Sequence, residues 1–271
     1  MSTIVSIQEF SKLSGIEAST LRYWDELGLF NPLERNPETN YRYYSTAQLL
    51  ALNFVTVLSE LTFPLKTIAK LRKDRDPEKL LALLEKQEIK MDMEMRSLRL
   101  RYSIIHARRE LINVGLNIDE TSLSVVHMDT KSMILWPRNE YKDGDTYIDA
   151  LATNVAQVAD HHINLSFPVG GYFDDLESFE KAPNCPDHFI SLDPVGMHTK
   201  IAGDYLVGYV RGNYGETADL SGRIANYAAK KSLNISGPVY VFYLLEEICT
   251  TDPTQYLAQC CVAVTKKRKR S

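Results

Sequence analysis

The sequence predicts a multidomain chain of α and α+β modules: an N-terminal winged helix-turn-helix, a long helix in an antiparallel coiled coil, and a C-terminal pseudo-symmetric α+β domain. Three observations carry this. Two short amphipathic helical patterns separated by Gly15 open the chain. From Pro77 to about Asn113 no glycine and no further proline occurs. After residue 121, strand and helix patterns alternate twice over. The expected boundaries are 1–76, 77–115 and 121–265, with a basic tail at 266–271, and 271 residues are enough for two modules.

The first helix is expected over Ser6–Leu13. Ser6 suits the N-cap and Glu9, three residues on, completes a capping box. Ile7, Phe10 and Leu13 share one face. A second helix runs from about Ala18 to Leu27, with Ser19 as a plausible cap, Leu21, Trp24 and Leu27 apolar, and Gly28 at its end. Glu17, Ser19, Thr20, Arg22 and Tyr23 then lie on or near its outward face. Arg22 is able to bond phosphate or a guanine edge, and Thr20 and Tyr23 phosphate oxygens. The plain alternative is a two-helix corner without a partner.

Pro32, Asn36-Pro37 and Asn40 mark turns, and Tyr41-Arg-Tyr-Tyr44 has β-propensity. A small hairpin, or wing, is expected. Its alternation places Tyr41 and Tyr43 on one side, able to pack back on the helices, with Arg42 and Tyr44 projecting opposite. A third helix follows from Ser45 with Leu49, Leu52, Phe54, Val55, Leu58 and Leu61. Phe63-Pro64 starts a short helix bearing Lys66 and Lys70.

The segments SIQEFSKLSGI, TLRYWDELGLFNP, NYRYYS and FPLKTIAKL, in that order, resemble the winged-helix DNA-binding domain of MerR-type transcription regulators. The resemblance covers residues 4–75. It implies that Arg22, Tyr23 and Arg42 contact the backbone and groove of promoter DNA, and that Lys66 lies near phosphate in a second wing. Ser19, Thr20, Tyr41 and Tyr44 complete the candidate DNA-binding set.

In the long helix, Leu80, Leu84, Gln87, Met91, Met95, Leu98, Tyr102, Ile105, Arg109 and Ile112 follow a spacing close to a heptad seam. About 36 residues make a rod of roughly 54 Å, too long for one small neighbour to bury. Because no second helix of similar length occurs, an intermolecular antiparallel coiled coil is favoured over an internal hairpin. Gly115-Leu-Asn117 ends the rod. The resemblance likewise implies a homodimer on this helix, and a two-fold dimer implies a pseudo-palindromic operator.

In the C-terminal module, Ser122–Met128 and Ser132–Trp136 read as strands, 147–161 as a helix and Val169–Phe173 as a strand. Gly196–Ile201 and Tyr205–Arg211 are expected strands, Thr217–Leu233 a helix, and Val239–Glu247 and Tyr256–Val264 strands. The elements TYIDALATNVAQVAD, GDYLVGYVRGNYGET, GPVYVFYLLEEI and QYLAQCCVAV resemble the gyrase-inhibitor-like effector domain of multidrug-responsive MerR-type activators.

The module holds Trp136, ten Tyr and five Phe. Aromatic faces attract cations, and Glu246 or Glu247 is able to neutralise a lipophilic one. The candidate ligand-binding set is Trp136, Tyr147, Tyr172, Tyr205, Tyr209, Tyr240, Phe242, Tyr243, Glu246, Glu247 and Tyr256, against the plainer reading of strand aromatics as core. There is one departure: Val241 stands where such proteins can carry a buried acid, which leaves Glu246, Glu247 or Asp174 to supply the charge.

The chain's net charge of −4 at first argues against nucleic acid. By segment, residues 1–76 and 77–120 are each neutral, 121–265 carry −9, and 266–271 carry +5. The acidity therefore belongs to the C-terminal module, where its field favours cations.

Several classes are excluded. No run of about 18 apolar residues is present, so no membrane span is expected, and the N-terminus lacks a secretory pattern. The four cysteines do not make a disulfide framework, and none precedes Cys185; metal- and redox-sensing members of the resembled family place cysteines at the start of the long helix and just after it, so the resemblance implies no thiolate metal site or iron–sulfur cofactor here. Cys260 and Cys261 are adjacent on a strand and point to opposite faces. His161-His162 diverge on a helix end. No nucleophile elbow, phosphate loop or HExxH occurs.

The expected function is a cytoplasmic, nucleoid-associated transcription activator and not an enzyme. By resemblance, it bends and untwists promoter DNA for RNA polymerase when an aromatic or cationic lipophilic effector binds. The alternative is a small-molecule-binding protein with weak hydrolase activity in the C-terminal module.

Overall fold

The computed structural model describes residues 2–142, 144–158 and 164–267. The chain forms two compact units, residues 1–96 and 97–271.

The first unit begins with strand β1 (Ile4–Ser6) and helices α1 (Ile7–Ser14) and α2 (Ala18–Glu26). The capping box forms: Glu9 N–H donates to Ser6 Oγ at 3.3 Å, and Ser6 N–H donates to the Glu9 carboxylate at 2.8 Å. Gly15, at φ +72°, closes α1 in the left-handed conformation that glycine adopts without a Cβ penalty. Ser19 is not the cap of α2. Glu17 occupies that position without a side-chain bond, and Ser19 lies inside the helix.

Strands β2 (Glu34–Arg35) and β3 (Arg42–Ser45) follow, and β3 is central in a three-stranded sheet ordered β1-β3-β2. Helices α3 (Gln48–Glu60) and α4 (Leu65–Lys73) complete the head. Its core gathers Phe10, Leu21, Trp24, Phe30, Tyr44, Leu52, Val55, Leu58 and Ile68.

Helix α5 runs unbroken over Pro77–Leu116. Leu80, Leu83 and Leu84 pack on the head core. Gln87 donates to Leu61 O and Thr62 Oγ1, both at 2.8 Å. So the first third of the expected seam faces the head of its own chain. Farther along, Leu98, Tyr102 and Ile105 are each more than 60 % exposed. The helix ends at Leu116, within the expected Gly115–Asn117 stop. A Cβ on Gly115 would lie 3.0 Å from Leu244 Cβ, so the missing side chain lets the helix end approach a strand of the second unit.

That second unit contains β4 (Ser124–Met128), β5 (Lys131–Arg138), α6 (Tyr147–Val158), β6 (Val169–Phe173), α7 (Leu176–Lys181) and β7 (His188–Ser191). Then come β8 (His198–Lys200), β9 (Gly203–Arg211), α8 (Leu220–Lys230), β10 (Leu233–Leu245) and β11 (Leu257–Lys266). The repeated strand–strand–helix–strand order gives the pseudo-symmetric α+β architecture.

The eight strands form one antiparallel sheet in the order β4-β9-β11-β10-β6-β7-β5-β8. Helix α7 and strand β7 were not anticipated: both are short, and the charged run around Glu177–Lys181 hides Phe179, which is fully buried. The expected helix over 147–161 is described as far as Val158, and His161-His162 lie outside the described residues.

The sheet has two apolar faces. One carries Trp136, Phe173, Phe189, Val239, Val241, Tyr243, Cys260 and Val262, with Phe179 of α7 and Ile224 of α8 packed against them. The other carries Met133, Ile190, Tyr205, Val207, Tyr209, Tyr240, Phe242 and Cys261, with Leu111 and Ile118 packed against them. Strand alternation sorts the neighbours: Cys260 and Cys261 face opposite ways, as do Phe242 and Tyr243.

Candidate functional site

In the head, α2 presents Ser19, Arg22 and Tyr23 to solvent, with Thr20 half-buried, and α4 presents Lys66. The wing is organised differently from the expectation. Asp25, only 4 % exposed, accepts from Arg42 Nε at 2.5 Å, Arg35 Nη2 at 2.7 Å and Asn31 Nδ2 at 3.1 Å. Burial raises the Asp25 pKa, but the bonds from Arg42, Arg35 and Asn31 outweigh that and hold it below its ordinary value. The ion cluster thus ties β2 and β3 to α2.

Tyr44 does not reach the surface. It is fully buried, stacked on Phe10 at 4.7 Å and on Phe30 at 5.7 Å between ring centroids, and burial pushes its phenol up to about 12. Arg42 does not project outward but turns inward to Asp25. The alternation along β3 is the expected one, but the face that carries Arg42 and Tyr44 is the buried one. Tyr41 and Tyr43 touch each other edge-on at 5.5 Å, with Tyr41 exposed. Since Tyr41, Tyr43 and Tyr44 are all tyrosines, pattern alone could not say which face is buried.

The second unit holds a cavity of about 340 Å³. Arg108 of α5, Tyr147, Ile148 and Leu151 of α6, and Leu165, Phe167 and Val169 line it, with Tyr214, Glu246, Glu247 and Ile248 opposite. Tyr147 and Tyr214 stack at 5.3 Å with 13° between ring planes. Behind them, Tyr243 meets Tyr214 edge-on at 4.6 Å, and Tyr256 lies 5.1 Å from it. The Tyr243 hydroxyl accepts from Gly215 N–H at 2.6 Å, which fixes the turn that carries Tyr214.

The polar side is small and charged. Tyr214 Oη donates to Glu247 and lies 3.3 Å from Glu246 Oε2. Arg108 pairs with Glu246, and its Nη2 donates to Ser166 O at 3.3 Å. Burial, then the hydrogen bond and charge of Glu247, raise the Tyr214 pKa, so this phenol stays a neutral donor. Burial above all, with the nearby Tyr243, Tyr214 and Glu247, takes the Tyr147 pKa well above its ordinary value. Two carboxylates face one guanidinium, which leaves the cavity one negative charge in excess. Stacked rings beside an unbalanced carboxylate are an environment for a lipophilic cation.

Of the expected ligand residues, Tyr147, Glu246 and Glu247 line this cavity, and Tyr243 and Tyr256 support it from behind. Tyr205, Tyr209, Tyr240 and Phe242 do not. They belong to the opposite face of the sheet, where Tyr172 packs edge-on against Tyr240 at 5.5 Å. Trp136 is corrected to core: it is 1 % exposed, packs on Phe189 and donates to Ser191 Oγ at 3.3 Å. Asp174 pairs with Arg138 away from the cavity, and Val241 is apolar core. So Glu246 and Glu247 supply the charge. Sequence reasoning missed Arg108, Phe167 and Tyr214. The NYG turn signalled Tyr214, whereas nothing in the helical pattern distinguishes Arg108 from its neighbours.

Among the described residues no cluster of three metal-binding side chains exists, and no helix is long and apolar enough to cross a membrane. Burial pushes the Cys261 thiol up to about 11.

Residues 5–74 match the model of the MerR HTH family regulatory protein. Over 245 residues, and 89 % of each chain, the sequence is 28 % identical to the multidrug-efflux transporter 2 regulator of Bacillus subtilis. It is 39 % identical over 83 residues to the multidrug-efflux transporter 1 regulator of the same organism, covering 31 % of this chain and 30 % of that one. A chain of the EcmrR–DNA complex, solved by cryo-electron microscopy, aligns over 97 % of this chain and all of its own, at 16 % identity and a TM-score of 0.43.

Proposed function

We propose that this chain, a homologue of multidrug-responsive MerR-type regulators, is an effector-controlled transcription activator whose cavity takes a lipophilic cation. The observation that carries the reading is the Tyr147–Tyr214 stack standing beside Glu246 and Glu247. Exposed Ser19, Arg22, Tyr23 and Lys66 supply the DNA contacts, with Thr20 and Tyr41 at their edge. Two copies pair through the exposed apolar stripe of α5 and read a pseudo-palindromic promoter. Effector binding then favours a bent and untwisted promoter that RNA polymerase can engage, a deformation that costs a few kcal/mol and that protein contacts offset. Such a protein works in the cytoplasm, on the nucleoid, without a cofactor.

Binding, not turnover, is the role of the cavity, because both its carboxylates act as acceptors for Arg108 and Tyr214. The test is a titration of the full chain with tetraphenylphosphonium and with its anionic isostere tetraphenylborate, followed by tyrosine fluorescence. The phosphonium binds and the borate does not. Equal binding of the two removes the electrostatic basis of the reading.

A further inference from the structure

The cavity is not charge-empty before a ligand arrives. Arg108 reaches in from α5 and pairs with Glu246, their side chains 21 % and 13 % exposed. Its second contact is the Ser166 carbonyl. Glu247 accepts from the Tyr214 hydroxyl, which also lies 3.3 Å from Glu246 Oε2. Resting on the cation-binding reading above, we propose that Arg108 is the resident occupant of the cation position, and that an effector binds by replacing its guanidinium on Glu246.

The charges require an exchange of this kind. A carboxylate as enclosed as Glu246 is costly to leave unpaired, so Arg108 departs only when another cation takes over. A neutral lipophile cannot make that substitution, and an anion would have to face Glu247. Arg108 is the more exposed of the pair, so its guanidinium needs only a short movement to be rehydrated. Hence the pair sets a threshold: the cavity selects ligands that carry both an apolar body for the Tyr147–Tyr214 stack and a positive charge able to compete with a guanidinium.

The same exchange makes ligand binding an event on α5. Glu246 lies just beyond the end of β10, and Arg108 is its link to the helix. That helix also supplies Leu80, Leu83 and Leu84 to the head core. Ligand binding breaks this link while leaving Glu246 paired.

The experiment compares tetraphenylphosphonium affinity in the full chain and in Arg108→Gln, Arg108→Lys and Glu246→Gln. Without the competing cation, Arg108→Gln binds about tenfold more tightly, while Arg108→Lys, which keeps a charge, stays within about threefold of the original chain. Glu246→Gln binds about tenfold more weakly. In the unsubstituted chain, the Arg108 side-chain nitrogen resonance shifts on saturation with the phosphonium, a readout that needs no variant to fold.

An unmoved Arg108 resonance, or unchanged or weaker binding in Arg108→Gln while Glu246→Gln still weakens it, overturns the exchange and leaves the cation cavity standing. Loss of cation preference in the unsubstituted chain, with Glu246→Gln unaffected, overturns the cavity reading itself.

Discussion

Arg42 donates its Nε–H to Asp25 across 2.5 Å, so the arginine that the sequence points toward DNA spends its charge inside the head. Among the described residues Arg22 has no such partner, and it stands exposed on α2. On the DNA-contact reading proposed above, the two arginines play separable roles. Arg22→Ala lowers operator affinity by up to about tenfold and reduces the salt slope by roughly one, because one phosphate contact is lost. Arg42→Ala lowers affinity by loosening the wing and leaves the salt slope in place. Operator titrations at several salt concentrations separate them, and equal slope changes would refute the division.

Asp25 gives the head an acid limit. Its pKa is depressed in the folded chain from an ordinary value of 3.8 by Arg42, Arg35 and Asn31, against the opposing effect of burial. A depressed carboxylate stabilises above its unfolded pKa, and the contribution disappears as pH falls through the folded value. Melting of the head therefore drops steeply below about pH 4. Asp25→Asn strands two guanidiniums and costs about 3 kcal/mol at neutral pH, and it flattens the acid limb. An unchanged limb in that variant would assign the acid sensitivity elsewhere.

Tyr44 is a stability residue. Among the described residues its hydroxyl has no hydrogen-bond partner, and its ring packs against those of Phe10 and Phe30, which also touch each other. Tyr44→Phe removes an unsatisfied buried polar group, so stability holds or rises by up to about 1 kcal/mol and operator affinity is unchanged. Tyr44→Ala opens a cavity and costs about 3–5 kcal/mol. Operator affinity that falls in Tyr44→Phe would return this residue to the DNA surface.

The head was legible because its signals are local. A capping box, a turn glycine and period-3.6 apolar positions all lie within a few residues of one another. The cavity was legible only in part, because it joins residues more than a hundred positions apart, from Arg108 on α5 to Glu246 after β10. Alternation along β10 separates Tyr243 from Tyr240 and Phe242. Choosing which of these faces the helices required the helices themselves, and α7 went unseen. Arg108 carried no local signal: on a helix crowded with arginines, only the fold shows which one meets a carboxylate.

The end of α5 offers a last test, of the close approach at Gly115. Alanine there gains about 1 kcal/mol of helix propensity, since glycine is the poorer helix former. Its Cβ would lie 3.0 Å from both Leu244 Cβ and Leu245 Cγ, a contact that asks the neighbours to yield by a few tenths of an ångström. Overpacking costs typically about 1–3 kcal/mol, so the two effects oppose and Gly115→Ala stays within about 1 kcal/mol of the original chain. Valine adds two methyl groups and a β-branch to the same gap. Both penalties then act together, and Gly115→Val lowers stability by about 2–3 kcal/mol. Thermal unfolding of the two variants decides it. A valine variant as stable as the alanine one would mean that α5 does not pack on Leu244 and Leu245 at this distance.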